Sequence, residues 1–178
     1  MADVITKRGA KILAEKMKAV PKEMFGTKEL EKLIARMSAS LRETEHGVAI
    51  AANQISLPWR IFVVRGFVMA GMERKDEGAD DAPDVPFINP VVTKLSRKKL
   101  LLEEACLSVP GYHGLIKRAE RATITAEDLA GKKLERGASG LLAQIFQHET
   151  DHLDGTLYVD KAEEVYEDQP EPEHDAKS

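Results

Sequence analysis

Four stretches of β-branched and apolar residues crowd the middle of the chain: PFINPVVTKL from Pro86, KKLLLEEACL from Lys98, HGLIKR from His113 and ATITAED from Ala122. Parallel pairing needs crossovers of about a dozen residues or more, so gaps this short predict a mostly antiparallel sheet, with a turn near Ala130 and Gly131. Helical spacing lies outside this region. Leu30, Leu33, Ile34, Met37 and Leu41 follow the i, i+3, i+4, i+7 pattern between Thr27 and Glu43. Leu141, Leu142, Ile145, Phe146, His152 and Leu153 do so between Ser139 and Leu153, with Ser139 placed as an N-cap. A further buried strand is expected at RIFVVR, Arg60 to Arg65.

At 178 residues the chain suits one domain, expected over residues 1–160. Residues 66–86 are rich in Gly, Asp and Pro and predict a surface loop, whereas 161–178 predict a frayed acidic tail. A net charge of -4 argues against an extended cationic face, so no nucleic-acid partner is expected. Hydrophobic residues make up 43% of an ordinary globular composition, and no membrane partner is expected either. The N-terminal run MADVITKRGAKILAEKMKAV lacks the apolar stretch of about 7 to 15 residues that a signal peptide requires. The single cysteine, Cys106, excludes an intrachain disulfide and fits a reducing compartment. The expected location is the cytoplasm.

HETDH, at 148–152, carries the chemistry. His148 and His152 are four residues apart, so on a helix both imidazoles share one face and can converge on one ion, with Glu149 beside them as a general base. A tetrahedral catalytic site usually has three protein ligands and one open position, so a third ligand is needed. In the HExxHxxGxxH arrangement it would follow downstream, but Tyr158 stands where histidine is required, although Gly155 is in place. The third ligand is therefore expected upstream. Cys106 in EACLS is one candidate, although a lone cysteine is by default a small buried hydrophobe.

GVAIAANQ (47–54), EACLS (104–108) and HETDH occur in the order and spacing of the peptide deformylases, whose motifs resemble GxGxAAxQ, EGCLS and HExDH. This resemblance implies an α+β fold with antiparallel sheets packed around a central helix carrying the HExxH motif. It implies Cys106, His148 and His152 as metal ligands, Glu149 as catalytic acid/base, and Gln54 with the backbone N–H of Leu107 as oxyanion donors. Val48, Ala49, Leu102, Ala105, Leu141, Gln144 and Ile145 should line the substrate pocket, and Glu104 should pair with Arg118 behind it. The implied reaction removes the N-formyl group from the N-terminal methionine of new polypeptides. Metal-bound water attacks the formyl carbonyl and formate leaves.

One thiolate and two imidazoles permit Fe2+, Zn2+, Ni2+ or Co2+, and the resemblance favours Fe2+. A monomer is expected, acting on N-formylmethionyl nascent peptides with transient ribosome contact. The sequence departs from the family pattern at Ala49 and Ala105, which stand where the motifs carry glycine, and at polar Gln144. Two alternatives remain open at this stage. One is a deformylase-like protein of altered substrate preference or weak activity, and the other is a HExxH metallopeptidase.

Overall fold

The computed structural model describes residues 2–168. A five-stranded sheet is built from β1 (Ala49–Ala51), β2 (Ile61–Val64), β3 (Val85–Leu95), β6 (Arg121–Glu127) and β7 (Lys133–Ser139), in that spatial order. A three-stranded sheet has the order β4 (Lys99–Cys106), β5 (Val109–Ala119), β8 (Glu164–Glu167). Every ladder pair is antiparallel, and short gaps alone impose this on β4–β5 and β6–β7.

Alternation along β2 explains why RIFVVR has no polar face. Phe62 and Val64 point into one cluster with Phe87, Ile145, Phe146 and Leu153, while Ile61 and Val63 join Leu30, Ile34, Met37 and Leu41 on the other side. The sheet is thus covered by α1 (Lys28–Arg42) on one face and α3 (Gly140–Leu153) on the other. The rings of Phe62, Phe87 and Phe146 form a stack and an edge contact, with centroids 4.9 and 5.2 Å apart. Thr27 caps α1, its hydroxyl accepting from the Leu30 N–H.

The structure corrects three expectations and adds one strand that the sequence reading did not identify. Ser139 precedes α3, but its side chain makes no capping hydrogen bond. Residues 66–86 do not begin as a surface loop: α2 (Gly66–Met69) buries Phe67, and the Arg65 and Arg74 guanidinium groups lie 5.3 and 5.5 Å from its ring centre. β7 had no strand signal because KLERGAS is polar, and it is held by its ladder to β6. The expected tail from residue 161 instead contributes β8, paired to Tyr112–Leu115 of β5. The rest of that tail, 169–178, lies outside the described residues. No helix among the described residues is long and apolar enough to cross a membrane.

Candidate metal centre

β4 and α3 bring three donor atoms together. The β4–β5 ladder jumps from Ala105↔His113 to Cys106↔Val109, leaving Pro110, Gly111 and Tyr112 as a bulge that re-aims the strand end. Cys106 Sγ then lies 3.2 Å from His152 Nε2, which lies 3.2 Å from His148 Nε2. All three donor atoms fall within 4.8 Å of one another.

His148 is oriented by a second group, whereas His152 Nδ1 is buried with no hydrogen-bond partner among the described residues. Glu104 Oε2 accepts from His148 Nδ1 at 2.8 Å, which turns the Nε2 lone pair inward. Burial would raise the Glu104 carboxyl, but hydrogen bonds from Arg118 and His148 outweigh it and hold it at about 2. Arg118 donates through Nε and Nη2 to both Glu104 oxygens, at 2.8 and 2.9 Å, so the expected pair is present and buried. Burial also opposes protonation of His148, yet contacts with Cys106 and Glu104 raise its pKa well above the usual imidazole value. His152 is shifted the other way by burial and by the neighbouring His148, and stays neutral.

Gln54 also reaches Cys106. Its Oε1 accepts from the Ala51 N–H at 2.9 Å, which fixes the amide so that Nε2 donates to Ser108 Oγ at 3.2 Å and to Cys106 Sγ at 3.5 Å. The Leu107 peptide is held by Lys7 Nζ, which donates to its carbonyl at 2.9 Å. Glu149 is 4% exposed; its Oε2 has no partner among the described residues, and burial pushes the carboxyl up to about 7.

These features fit a divalent cation. The half-buried His148 and the buried His152 present ring nitrogens to each other at 3.2 Å beside a thiol, an arrangement that a cation satisfies, and Glu149, whose Oε2 has no partner among the described residues, lines the adjoining cleft. That cleft, of about 490 Å³, is lined by Val48, Ala49, Gln54, Ala105, Cys106, Leu107, Leu141, Gln144, Ile145, His148 and Glu149. Leu102 does not line it, contrary to expectation. It shares the strand face of Glu104 and Cys106 but stands four residues from Cys106, roughly 13 Å along the strand, and pairs with Ile116. Gln144 Nε2 donates to the Glu103 carbonyl at 2.8 Å, so its polarity is satisfied by β4.

Sequence reasoning missed several supports. Tyr158 is buried behind the site, its ring 6.2 Å from that of His148 and its hydroxyl donating to the Tyr112 carbonyl. Gly155 ends α3 at φ +77°, where an added Cβ would come within 2.8 Å of the Ala14 backbone. Lys7, Tyr112 and Asp168 join the cleft wall with exposed His46, and His113 pairs with Asp168. An N-terminal strap ties the first two motif segments and the end of the motif helix: the N–H groups of Thr6, Arg8 and Met17 donate to the carbonyls of Gln54, Ser108 and Leu153. Scattered backbone bonds of this kind leave no residue pattern to read.

The family model described as polypeptide deformylase matches residues 2–168. Peptide deformylase 1A, chloroplastic, of Solanum lycopersicum is 36% identical over 166 residues, covering 90% of this chain and 59% of the relative. The chain thus spans about three fifths of the length of that plant relative. A peptide deformylase of Chloroflexus aurantiacus is 34% identical, covering 78% of this chain and 74% of the relative. Among solved structures, a class I type b peptide deformylase from Acinetobacter baumannii with Met-Ala-Ser bound superposes with a TM-score of 0.79 at 33% identity, covering 90% of this chain and 98% of that one. With its family model matched from end to end of the described residues and its backbone following those solved members, this chain belongs to the polypeptide deformylase family.

Proposed function

We propose that this chain is a metal-dependent hydrolase that removes the N-formyl group from the N-terminal methionine of new polypeptides and releases formate. One observation carries the reading: three convergent ligand atoms, two of them on residues that line the cleft, stand with Glu149, a buried cleft residue whose Oε2 has no partner among the described residues. Cys106, His148 and His152 would hold the ion, with Fe2+ favoured by the family resemblance and Zn2+, Ni2+ and Co2+ suited to the same donors. A bound divalent ion supplies Lewis acidity and draws the pKa of water toward neutral.

Glu149 accepts a proton from the attacking water and delivers it to the leaving amine as the formyl C–N bond breaks. Gln54 Nε2 and the Leu107 N–H receive the negative charge that develops on the formyl oxygen, each contributing about 3 kcal/mol. β1 and β4 are edge strands of their sheets, and both border the cleft, so an extended peptide can dock by main-chain pairing. Val48, Ala49, Ala105, Leu141, Gln144 and Ile145 surround the substrate side chain. The Ala49 and Ala105 methyl groups narrow the space that glycine would leave. The motif helix acts as the central element of a single catalytic domain. We place the protein in the cytoplasm as a monomer that meets nascent chains through transient ribosome contact.

Nothing in the geometry favours a peptidase. Tyr158, at the position such an enzyme would use for its third ligand, spends its hydroxyl on the Tyr112 carbonyl. The test is formate release from formyl-Met-Ala-Ser by anaerobically purified protein, alongside the variants Glu149→Gln and Cys106→Ser. Turnover lost in both supports the reading; unaltered turnover in both overturns it.

A further inference from the structure

Holding the His148 tautomer needs only Glu104, yet the polar structure behind it continues to the surface. Lys161 Nζ donates to Asp151 Oδ1 at 2.6 Å, and Arg118 Nη1 donates to Asp151 Oδ2 at 2.6 Å. Arg118 passes on to Glu104, and Glu104 to His148. Side-chain exposure falls inward from 47% at Lys161 to 16%, 6% and 3% at Asp151, Arg118 and Glu104. The result is an unbroken row of alternating charge ending on an imidazole.

We propose that Asp151 and Lys161 are positioning residues that set, with opposite signs, how strongly His148 donates to a divalent ion. The inference rests on reading Cys106, His148 and His152 as a metal site. Arg118 divides one charge and its N–H groups between two carboxylates. In a buried network, hydrogen bonds polarise one another, so charge drawn toward Asp151 is withheld from Glu104. Lys161 neutralises Asp151 and thereby returns Arg118 to Glu104. A Glu104 less engaged by Arg118 accepts more strongly from His148 Nδ1, which makes Nε2 the better electron donor.

Removing Asp151 gives Glu104 the whole of Arg118 and weakens the donor, whereas removing Lys161 does the reverse. A simple brace predicts otherwise, because losing either side chain would loosen the site.

Chelator competition on the full chain loaded with Co2+ tests this, with the melting temperature of the metal-free protein measured alongside. Asp151→Asn is expected to weaken Co2+ binding about 10-fold, and Lys161→Met to tighten it about threefold, with Lys161→Arg close to the parent protein. Weakening in both variants, or no change in either, overturns the inference and leaves the metal site standing. A parent protein that binds no stoichiometric Co2+ overturns both.

Discussion

At β2 the five-stranded sheet is closed on both faces by apolar side chains, whereas the three-stranded sheet turns its edge strand β4 toward the cleft. In the first, β2 buries four consecutive residues between α1 and α3 without a charge among them. In the second, Glu104 and Cys106 alternate with exposed Glu103 and Ala105, and the buried charge of Glu104 is tolerated because Arg118 and His148 satisfy it. The helix α3 joins the two regions, with Phe146 turned to the first and His148 to the second. Stability and chemistry are therefore separable by substitution even two residues apart on one helix.

The largest expected effect lies on the polar side. Glu149→Gln should lower kcat about 10^3-fold while leaving the melting temperature near that of the parent; a melt collapsing with the activity would show that the regions are not separable. On the apolar side, Phe146→Ala should cost about 3–5 kcal/mol in denaturant unfolding, since it opens a hole beside Phe62 and Phe87. Glu104→Gln should weaken metal binding about 10- to 100-fold by chelator competition, because His148 loses its anionic acceptor.

A smaller effect follows from pH. The Glu104 carboxyl is held at about 2 in the fold and sits near 4.3 when unfolded, so its contribution to stability is present above about pH 4.3 and is lost as pH falls toward 2. The stability difference between parent and Glu104→Gln should shrink over that interval in urea titrations. Least affected should be Leu102→Ala, which leaves the preference among formylated peptides unchanged because Leu102 stands off the cleft.

How much of this was readable depended on whether a residue's partner was local. β2 through β6 announced themselves by β-branched or apolar runs, and α1 by its stripe, since those signals come from burying one face of a regular element. HETDH was readable because four-residue spacing on a helix is itself geometry. β7 and β8 were not, because polar strands are selected by a ladder partner rather than by their own side chains. Tyr158 behind His148, and the extension of the Glu104–Arg118 pair to Asp151 and Lys161, depend on loops that only the folded chain closes. Leu102 misled for a related reason: alternation gives the face of a strand but not the height along it.

The N-terminal strap has a consequence for the order of assembly. Its three backbone bonds close loops of roughly 50, 100 and 140 residues, contacts that are entropically late and slow to form. During synthesis, residues 6–17 emerge before Leu153 and wait for its carbonyl to appear before the last bond can close. A ribosome that has made only the first two motif segments carries a chain that cannot yet assemble the site, so competence arrives with α3 rather than growing with length.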